Sequence, residues 1–311
     1  MISAVIPVFN EEESLEKFYP VLSLALSKLG AYEIVFVDDG STDSSLNLMK
    51  KLALKDKKIR IFSFRKNHGK AEALTLGFQM AKGNYVVTLD ADLQDRPEEI
   101  KKLLDRLKTG YDLVSGWRKN RKDSKVLINL PSKLFNFLLS LFWGLKLKDY
   151  NCGLKIYTKE AAKSLNLYGG RQRFIPLLLY QNGFRVTEIE VEHEKRLYGK
   201  SKYGFTKSFK EFPDMFTMLF ITKYAKQPLH FFGIIGSIAS AIGLISLLYL
   251  FILHLMGQRI GMRPLLTFGM LLVLAGFQIL LTGFLADLIL HMTQKSKNSY
   301  TYESELKFKT E

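Results

Sequence analysis

The amino-acid sequence predicts an α/β chain: a Rossmann-like, mostly parallel sheet with helices on both faces, then interfacial helices and a C-terminal pair of transmembrane helices. Three observations predict it. From Ile2 to Gly116 short β-branched runs alternate with apolar residues at helical spacing, the pattern of repeated strand and helix units. Residues 229–256 and 264–292 are almost free of charge, and each exceeds the roughly 20 residues that cross a hydrocarbon core of about 30 Å. Lys and Arg number 45 against 30 Asp and Glu, a formal charge of +15, so a large anionic partner is implied.

Taken in order, residues 2–8, 33–38, 59–64, 84–90 and 112–115 read as strands from their Val, Ile and Phe content. Residues 12–29, 44–55, 71–81 and 98–107 read as the helices between them, and Pro97 sits where a first helical turn tolerates it. Ligands of such sheets gather at the carboxyl ends of the strands. Residues 124–148 break the pattern. Leu127, Leu130, Leu134, Phe135, Leu138, Leu141, Phe142 and Trp143 crowd a stretch interrupted by Pro131 and flanked by lysines, which predicts an amphipathic segment lying in the membrane interface. Phe205, Phe209, Phe212, Phe216 and Leu219 form a second stripe in residues 205–228, read as a juxtamembrane amphipathic helix.

The loop between the two spans carries only Arg259 and Arg263, whereas the flanking segments are rich in lysine. The positive-inside rule therefore predicts an integral membrane protein with its domain 1–204, both termini and the tail 293–311 in the cytoplasm. No secretory signal is read after Met1, and the single cysteine, Cys152, forms no intrachain disulfide and reads as a buried packing residue. No basic recognition motif appears, so nucleic acid is not the expected anion.

The residues that carry chemistry close the strands. Pro7-Val8-Phe9-Asn10-Glu11-Glu12 follows the first strand and Asp38-Asp39-Gly40-Ser41-Thr42-Asp43 the second. Each alone makes an ordinary turn with a helix cap. Together they set carboxylates where base and ribose hydroxyls of a nucleotide can donate to them. In Asp90-Ala91-Asp92-Leu93-Gln94-Asp95, two carboxylates one residue apart leave the sheet together, which suits one hard cation, Mg2+ or Mn2+, shared with two phosphates. Arg118 and Arg121 follow the fifth strand, and Arg196-Leu197-Tyr198-Gly199-Lys200-Ser201-Lys202-Tyr203-Gly204 is a basic, glycine-bounded stretch fit for anions. Asp149-Tyr150-Asn151-Cys152-Gly153 completes the set.

These segments together resemble the family 2 glycosyltransferases of the GT-A fold, and within them the polyprenyl-phosphate branch of dolichol-phosphate mannosyltransferases and bactoprenol glucosyltransferases. The resemblance runs over residues 2–204 and extends to the two-span tail. It implies inverting, metal-dependent transfer of a sugar from a nucleotide-diphosphate sugar to a polyprenyl (undecaprenyl or dolichyl) phosphate at the cytoplasmic face. By the same resemblance Pro7, Phe9, Glu11, Asp38 and Asp39, with Asp90, Ala91 and Asp92, hold the nucleotide sugar. Asp90, Asp92 and Gln94 hold Mg2+ or Mn2+, and Arg118, Arg121, Arg196, Ser201 and Lys202 meet the acceptor phosphate. The catalytic set is then Asp90, Asp92, Arg118, Asp149, Arg196 and Lys202. Phe9 stands where a tyrosine is frequent. Asp149 is read as positioning the acceptor more than removing a proton, because a phosphate with a second pKa of about 6 is already mostly dianionic at pH 7.

Two rivals have distinct signatures. A processive polysaccharide synthase needs more spans and a Gln-x-x-Arg-Trp element, and no Trp follows Trp143. A non-catalytic scaffold that binds sugar nucleotides has no use for Asp90, Asp92, Arg196 and Lys202 together. The expected partners are thus the donor, the lipid acceptor and the membrane, with a homo-oligomer compatible. Neither base nor sugar is legible.

Overall fold

The computed structural model describes residues 1–118, 140, 143–194, 217, 220–224, 227–261 and 263–295. The chain divides into two compact units, Met1–Met215 and Phe216–Glu311. The first opens with β1 (Ile2–Val8), α1 (Glu12–Ser27), β2 (Tyr32–Asp38), α2 (Ser45–Lys55), β3 (Ile59–Ser63), α3 (Lys70–Met80) and β4 (Tyr85–Thr88). A 3-10 turn at Pro97–Glu99 leads into α4 (Ile100–Lys108), then β5 (Leu113–Arg118), β6 (Lys155–Thr158), α5 (Lys159–Ser164), a 3-10 turn at Arg171–Phe174, α6 (Ile175–Gln181) and β7 (Val186–Val191).

The strands form one 7-stranded sheet in the order β3-β2-β1-β4-β6-β5-β7. β1 runs parallel to both β2 and β4, β2 to β3, and β5 to β7. The alternation along each strand sorts two cores. Ile2, Ala4, Ile6, Ile34 and Phe36 pack with Leu15, Phe18, Leu22 and Leu26 of α1 and with Ile100, Leu103 and Leu107 of α4. Val5, Val35, Val37 and Val86 face the other way, onto Ala71, Leu74 and Phe78 of α3 and onto Ile175 and Leu179 of α6. The expected α/β class is what forms. The departure is β6, four residues that enter antiparallel to both β4 and β5 and separate them. So short a strand shows no periodicity in sequence; neighbours distant along the chain set its place.

At the amino ends of the strands a buried carboxylate is held by a network. Glu33 accepts from the Ser3 hydroxyl at 2.6 Å, the Lys82 amide at 2.6 Å and Arg60 at 3.0 Å, while Ser3 Oγ in turn accepts from the Gly83 amide at 2.7 Å. Burial pushes the Glu33 carboxyl upward, but these donors prevail and hold it below the ordinary carboxylate range.

The second unit is a helical hairpin, α7 (Pro228–Leu255) and α8 (Pro264–Lys295), after a π-helical turn at Phe220–Tyr224. Residues 228–255 and 264–292 have mean hydropathy 2.3 and 2.2, and only 11% of the most apolar window of each is buried. Ile238, Leu244, Leu248, Phe251, Leu274, Phe277 and Phe284 lie open. Where the helices touch, they touch through backbone. A Cβ on Gly236 would stand 2.5 Å from the Gly276 carbonyl oxygen, and one on Gly243 would stand 2.8 Å from that of Gly269. Close backbone approach at small residues is how helices associate where lipid removes the hydrophobic drive. Helices of this length, apolar outward and joined along glycines, make the chain an integral membrane protein.

Of the expected interfacial segment 124–148, only Ser140 and residues 143–148 are described, and Trp143, Leu145 and Leu147 there are buried in the first unit. The stripe from Phe205 to Leu219 has only Thr217 among the described residues, and the tail beyond 295 has none.

Glu33→Gln should cost about 1–3 kcal/mol of stability near neutral pH, the range for a charged hydrogen-bond network broken in the interior. Because the folded carboxyl is held low, its contribution is present above the ordinary glutamate value of 4.5 and fades as pH falls through the folded pKa. Thermal melts of both proteins from pH 7 to pH 3 should therefore converge at the acid end, and a gap that stays constant would contradict this account.

Candidate active site

All strands but β6 run the same way and end on one side of the sheet, and the loops after β1 to β4 brace one another. Asn10 adopts φ 54°, a left-handed conformation that Asn tolerates. Its amide donates to Ser41 Oγ at 3.0 Å and its side-chain oxygen accepts from the Thr42 amide at 2.8 Å. The Glu11 amide donates to Ser45 Oγ at 2.8 Å, and the Ser44 amide to the Glu12 carboxylate at 2.9 Å. The two turns after β1 and β2 are one stitched structure.

The stitching separates two adjacent aspartates. Asp38, 1% exposed, accepts from the Ser41 amide at 3.1 Å and the Ser63 hydroxyl at 2.7 Å, so it ties β2 to β3 and does not line the cleft. Asp39 does line it, held by the amides of His68 at 2.8 Å and Gly69 at 3.0 Å. Burial raises the Asp39 carboxyl despite those two donors. The cleft has a volume of about 260 Å³. Pro7, Phe9, Glu11 and Asp39 form one side, Gly69 and Lys70 the β3–α3 loop, and Asp90, Ala91 and Asp92 the end beyond β4. Seven of the eight expected nucleotide-site residues thus meet in one concavity, Asp38 being the exception.

The acidic turn is tight. Asp92 accepts from the Gln94 amide at 3.1 Å, and Leu93 adopts φ 61°, rare for a bulky residue. That reversal brings Asp95 back against Asp90: a Cβ on Gly153 would stand 2.7 Å from Asp95 Oδ2 and 2.9 Å from Asp90 Oδ2. Burial, and then the nearby Asp90 charge, push the Asp95 carboxyl well up. Asp90 goes the other way. Burial alone would raise it, but its ion pair with Lys70, reinforced by Lys155 and Arg118, holds it low.

These residues fit a divalent ion. Asp90 and Asp92 offer oxygen donors at the cleft, a lysine ammonium already stands as a cation on Asp90, and glycine at 153 leaves space that any side chain would fill. Among the described residues no three His, Cys, Asp or Glu gather into a closed cage. An open pair completed by substrate oxygens is the mode of ions that bridge phosphates. Gln94 contributes main chain, its amide to Asp92 and its carbonyl to the Glu194 amide at 2.9 Å.

Beside the acidic turn, Arg118 at the end of β5 grips Asp149 with both arms, Nε to Oδ2 at 2.7 Å and Nη2 to Oδ1 at 3.1 Å. Burial disfavours the Arg118 charge, but Asp149 outweighs it and the guanidinium is held firmly protonated. Glu188 of β7 receives the amides of Lys148 at 2.8 Å and Asp149 at 3.2 Å, which fixes the loop that carries the carboxylate. Cys152 is buried and its thiol is pushed up to about 12 by burial, as a packing residue would be. Arg96 pairs with Glu192 and Glu194, and Asp95 bridges to His193, so the segment entering the basic stretch starts from the rim of the acidic turn. Arg121, Arg196, Ser201 and Lys202 lie outside the described residues.

Sequence reasoning missed Lys70, Asp95 and Lys155. Gly69-Lys70 at a helix start and a lone lysine in Gly153-Leu154-Lys155-Ile156-Tyr157 were signals of a kind. Neither names a partner.

Comparison with known proteins points one way. Residues 3–165 match the model of the family described as Glycosyl transferase family 2. A dodecaprenyl-phosphate galacturonate synthase of Rhizobium johnstonii is 36% identical over 97% of this chain and 91% of its own. An undecaprenyl-phosphate 4-deoxy-4-formamido-L-arabinose transferase of Shewanella sediminis is 35% identical over 93% and 86%. Among solved structures, glucosyl-3-phosphoglycerate synthase of Mycobacterium tuberculosis with Mn2+, uridine diphosphate and phosphoglyceric acid superposes with TM-score 0.55 at 20% identity, over 70% of this chain and 78% of that one. A mannosyltransferase of Pyrobaculum calidifontis with GDP-mannose and Mn2+ gives 0.51 at 17% identity, over 96% and 76%.

Gly153→Ala should crowd Asp90 and Asp95 while leaving the fold intact. Mn2+ binding, followed by electron paramagnetic resonance with nucleotide present, should weaken about 10–100-fold, the usual cost of disturbing groups that orient metal ligands. Unchanged affinity would show that the space at Gly153 is not needed.

Proposed function

Because the chain belongs to glycosyl transferase family 2, whose members invert the sugar they transfer, we propose that it moves a sugar from a nucleoside-diphosphate donor onto a membrane polyprenyl phosphate. The relatives above are named for polyprenyl-phosphate acceptors, and the two spans supply the anchorage such an acceptor needs. The observation that carries the reading is the single cleft in which Phe9 and Asp39 face Asp90 and Asp92, large enough for a nucleotide at one end and acidic at the other.

In this reading the base and ribose lie between Phe9 and Asp39, and the diphosphate reaches Asp90 and Asp92. A divalent ion held by those two carboxylates would offset charge on the departing nucleoside diphosphate. Lys70, poised on Asp90 at the head of α3, is placed to turn its ammonium to the same phosphates. An acceptor phosphate oxygen forms the new bond to the anomeric carbon from the face opposite the leaving diphosphate, and configuration inverts in that displacement.

Asp149 is a positioning group. A lipid phosphate arrives without a proton to lose, and both carboxylate oxygens of Asp149 are already occupied by Arg118. The pair holds a guanidinium rigid beside the reacting centre, with N–H groups of Arg118 left to face a phosphate. Arg196, Ser201, Lys202 and Arg121 are proposed to complete the acceptor's anion site. The charge asymmetry around the spans supports an orientation with both termini and the catalytic unit in the cytoplasm.

Purified protein with Mg2+ or Mn2+, undecaprenyl phosphate and a donor panel should yield a glycosyl lipid identified by its mass, and chelation should abolish it. Asp90→Asn and Asp92→Asn should each lower turnover by about 10²-fold or more, as loss of electrostatic stabilisation does. Asp149→Asn should keep measurable turnover with an unshifted pH profile. Release of nucleoside diphosphate that does not depend on the lipid would overturn the acceptor assignment.

A further inference from the structure

A lysine on an interior strand is costly to bury, so what its ammonium touches there tells its role. Lys155 on β6 is 3% exposed, and burial pushes the pKa of its ammonium down. It donates to the main-chain carbonyl of Cys152, three residues back along the chain. Directly across the β4–β6 ladder stands Thr88, equally buried, whose hydroxyl donates to the next carbonyl, that of Gly153, at 3.0 Å. Side chains of directly opposed residues share one face of a sheet. Two neighbours on two strands thus hold two successive carbonyls of one loop.

That loop, residues 149–153, joins the two halves of the site. At its start Asp149 takes the Arg118 fork, and Glu188 receives the amides of Lys148 and Asp149. In its middle the buried Tyr150 donates its hydroxyl to the Leu145 carbonyl at 2.5 Å. At its end Gly153 lies against the acidic turn, where a Cβ would stand 2.9 Å from Asp90 Oδ2. A shift at the carbonyls of Cys152 and Gly153 therefore moves Asp149 and Arg118 relative to Asp90. The charge of Lys155 acts at the same place, since it joins Lys70 in holding the Asp90 carboxyl low.

We propose that Lys155 and its cross-strand partner Thr88 are positioning residues, a clamp on the Cys152 and Gly153 carbonyls that sets the distance between the Arg118–Asp149 pair and the Asp90 carboxylate. The consequence for turnover rests on the reaction proposed above, in which that distance separates the arriving phosphate from the departing diphosphate. The clamp then acts on turnover and leaves nucleotide binding at Phe9 and Asp39 alone.

The test uses the full-length protein in detergent with Mn2+, undecaprenyl phosphate and the donor panel. Lys155→Met and Thr88→Val each remove one hydrogen-bond donor with little change of volume, and Thr88→Ser keeps the hydroxyl. Circular dichroism and melting temperature establish that each variant is folded. Lys155→Met should lower turnover about 10²-fold, the scale of a misplacement of about 1 Å. Thr88→Val should lower it about tenfold, as loss of one hydrogen bond does, and Thr88→Ser should stay close to wild type. Calorimetric titration with UDP and GDP should find affinities within about threefold of wild type in every variant. Deuterium exchange read by mass spectrometry follows the loop without reference to catalysis: peptides covering residues 148–153 should exchange faster in Lys155→Met and Thr88→Val, and those of β1 and β2 should not. A loop that exchanges as in wild type, an unchanged turnover, or a loss of nucleotide affinity as large as the loss of turnover overturns the clamp. A wild type that makes no glycosyl lipid overturns the reaction instead, and the exchange still decides the clamp.

Discussion

Compensation of crowded negative charge at the rim of the sheet is the constraint on which the site depends. Asp90 and Asp95 converge on Gly153 in a turn that also carries Asp92, and carboxylates so close repel unless a cation or a proton intervenes. The chain answers with both. Lys70 from α3 pairs with Asp90, Arg118 from β5 lies near enough to act on Asp90 and Asp95, and Asp95 is driven toward its protonated form. The charges therefore fix how the ends of β4, β5 and α3 sit against one another. The same balance suits a site that takes in a divalent cation and a polyanion together, because such ions can take over the pairing that Lys70 and Arg118 give the carboxylates.

Around that centre, residues that look alike divide their work by what they touch. Asp38 and Asp39 are neighbours at the end of β2, where alternation points them to opposite sides. One closes the β2–β3 edge through Ser63 and Ser41; the other faces the cleft, steadied by two amides. Asn10, Glu12, Ser41 and Ser45 spend their hydrogen bonds on the paired turns, so the cleft wall at Pro7, Phe9 and Glu11 stands on a preformed support. A wall ordered before the ligand arrives costs less ordering when it binds.

This division marks the limit of what the sequence discloses. Strands β1 to β5 and helices α1 to α4 are legible because their apolar periodicity is local, and the strand-end motifs are legible because turns use a small set of residues. Both spans declare themselves by length and lack of charge. Which of Asp38 and Asp39 faces the cleft depends on Ser63, 25 residues from Asp38, and the Lys70–Asp90 and Arg118–Asp149 pairs join residues 20 and 31 positions apart. No window of sequence contains such pairs. β6 escaped for a related reason: four residues between an aspartate turn and a helix become a strand only because β4 and β5 present open edges to them. Lys155 is the sharpest case, since a lysine is ordinarily a surface residue and only burial makes it informative.

The Arg118–Asp149 pair bears on which acceptor the site can use. An acceptor hydroxyl has to lose its proton as the bond forms, and a transferase for such acceptors needs a carboxylate with an oxygen free to take it. Asp149 has each oxygen in a guanidinium hydrogen bond and Oδ1 also accepts from the Asn151 amide at 3.1 Å, so three donors hold the carboxylate in place. A phosphate monoester asks for the opposite: positive charge held still, and no proton removed. On the reading proposed above, a carboxylate committed in this way to an arginine suits a phosphate acceptor better than an alcohol.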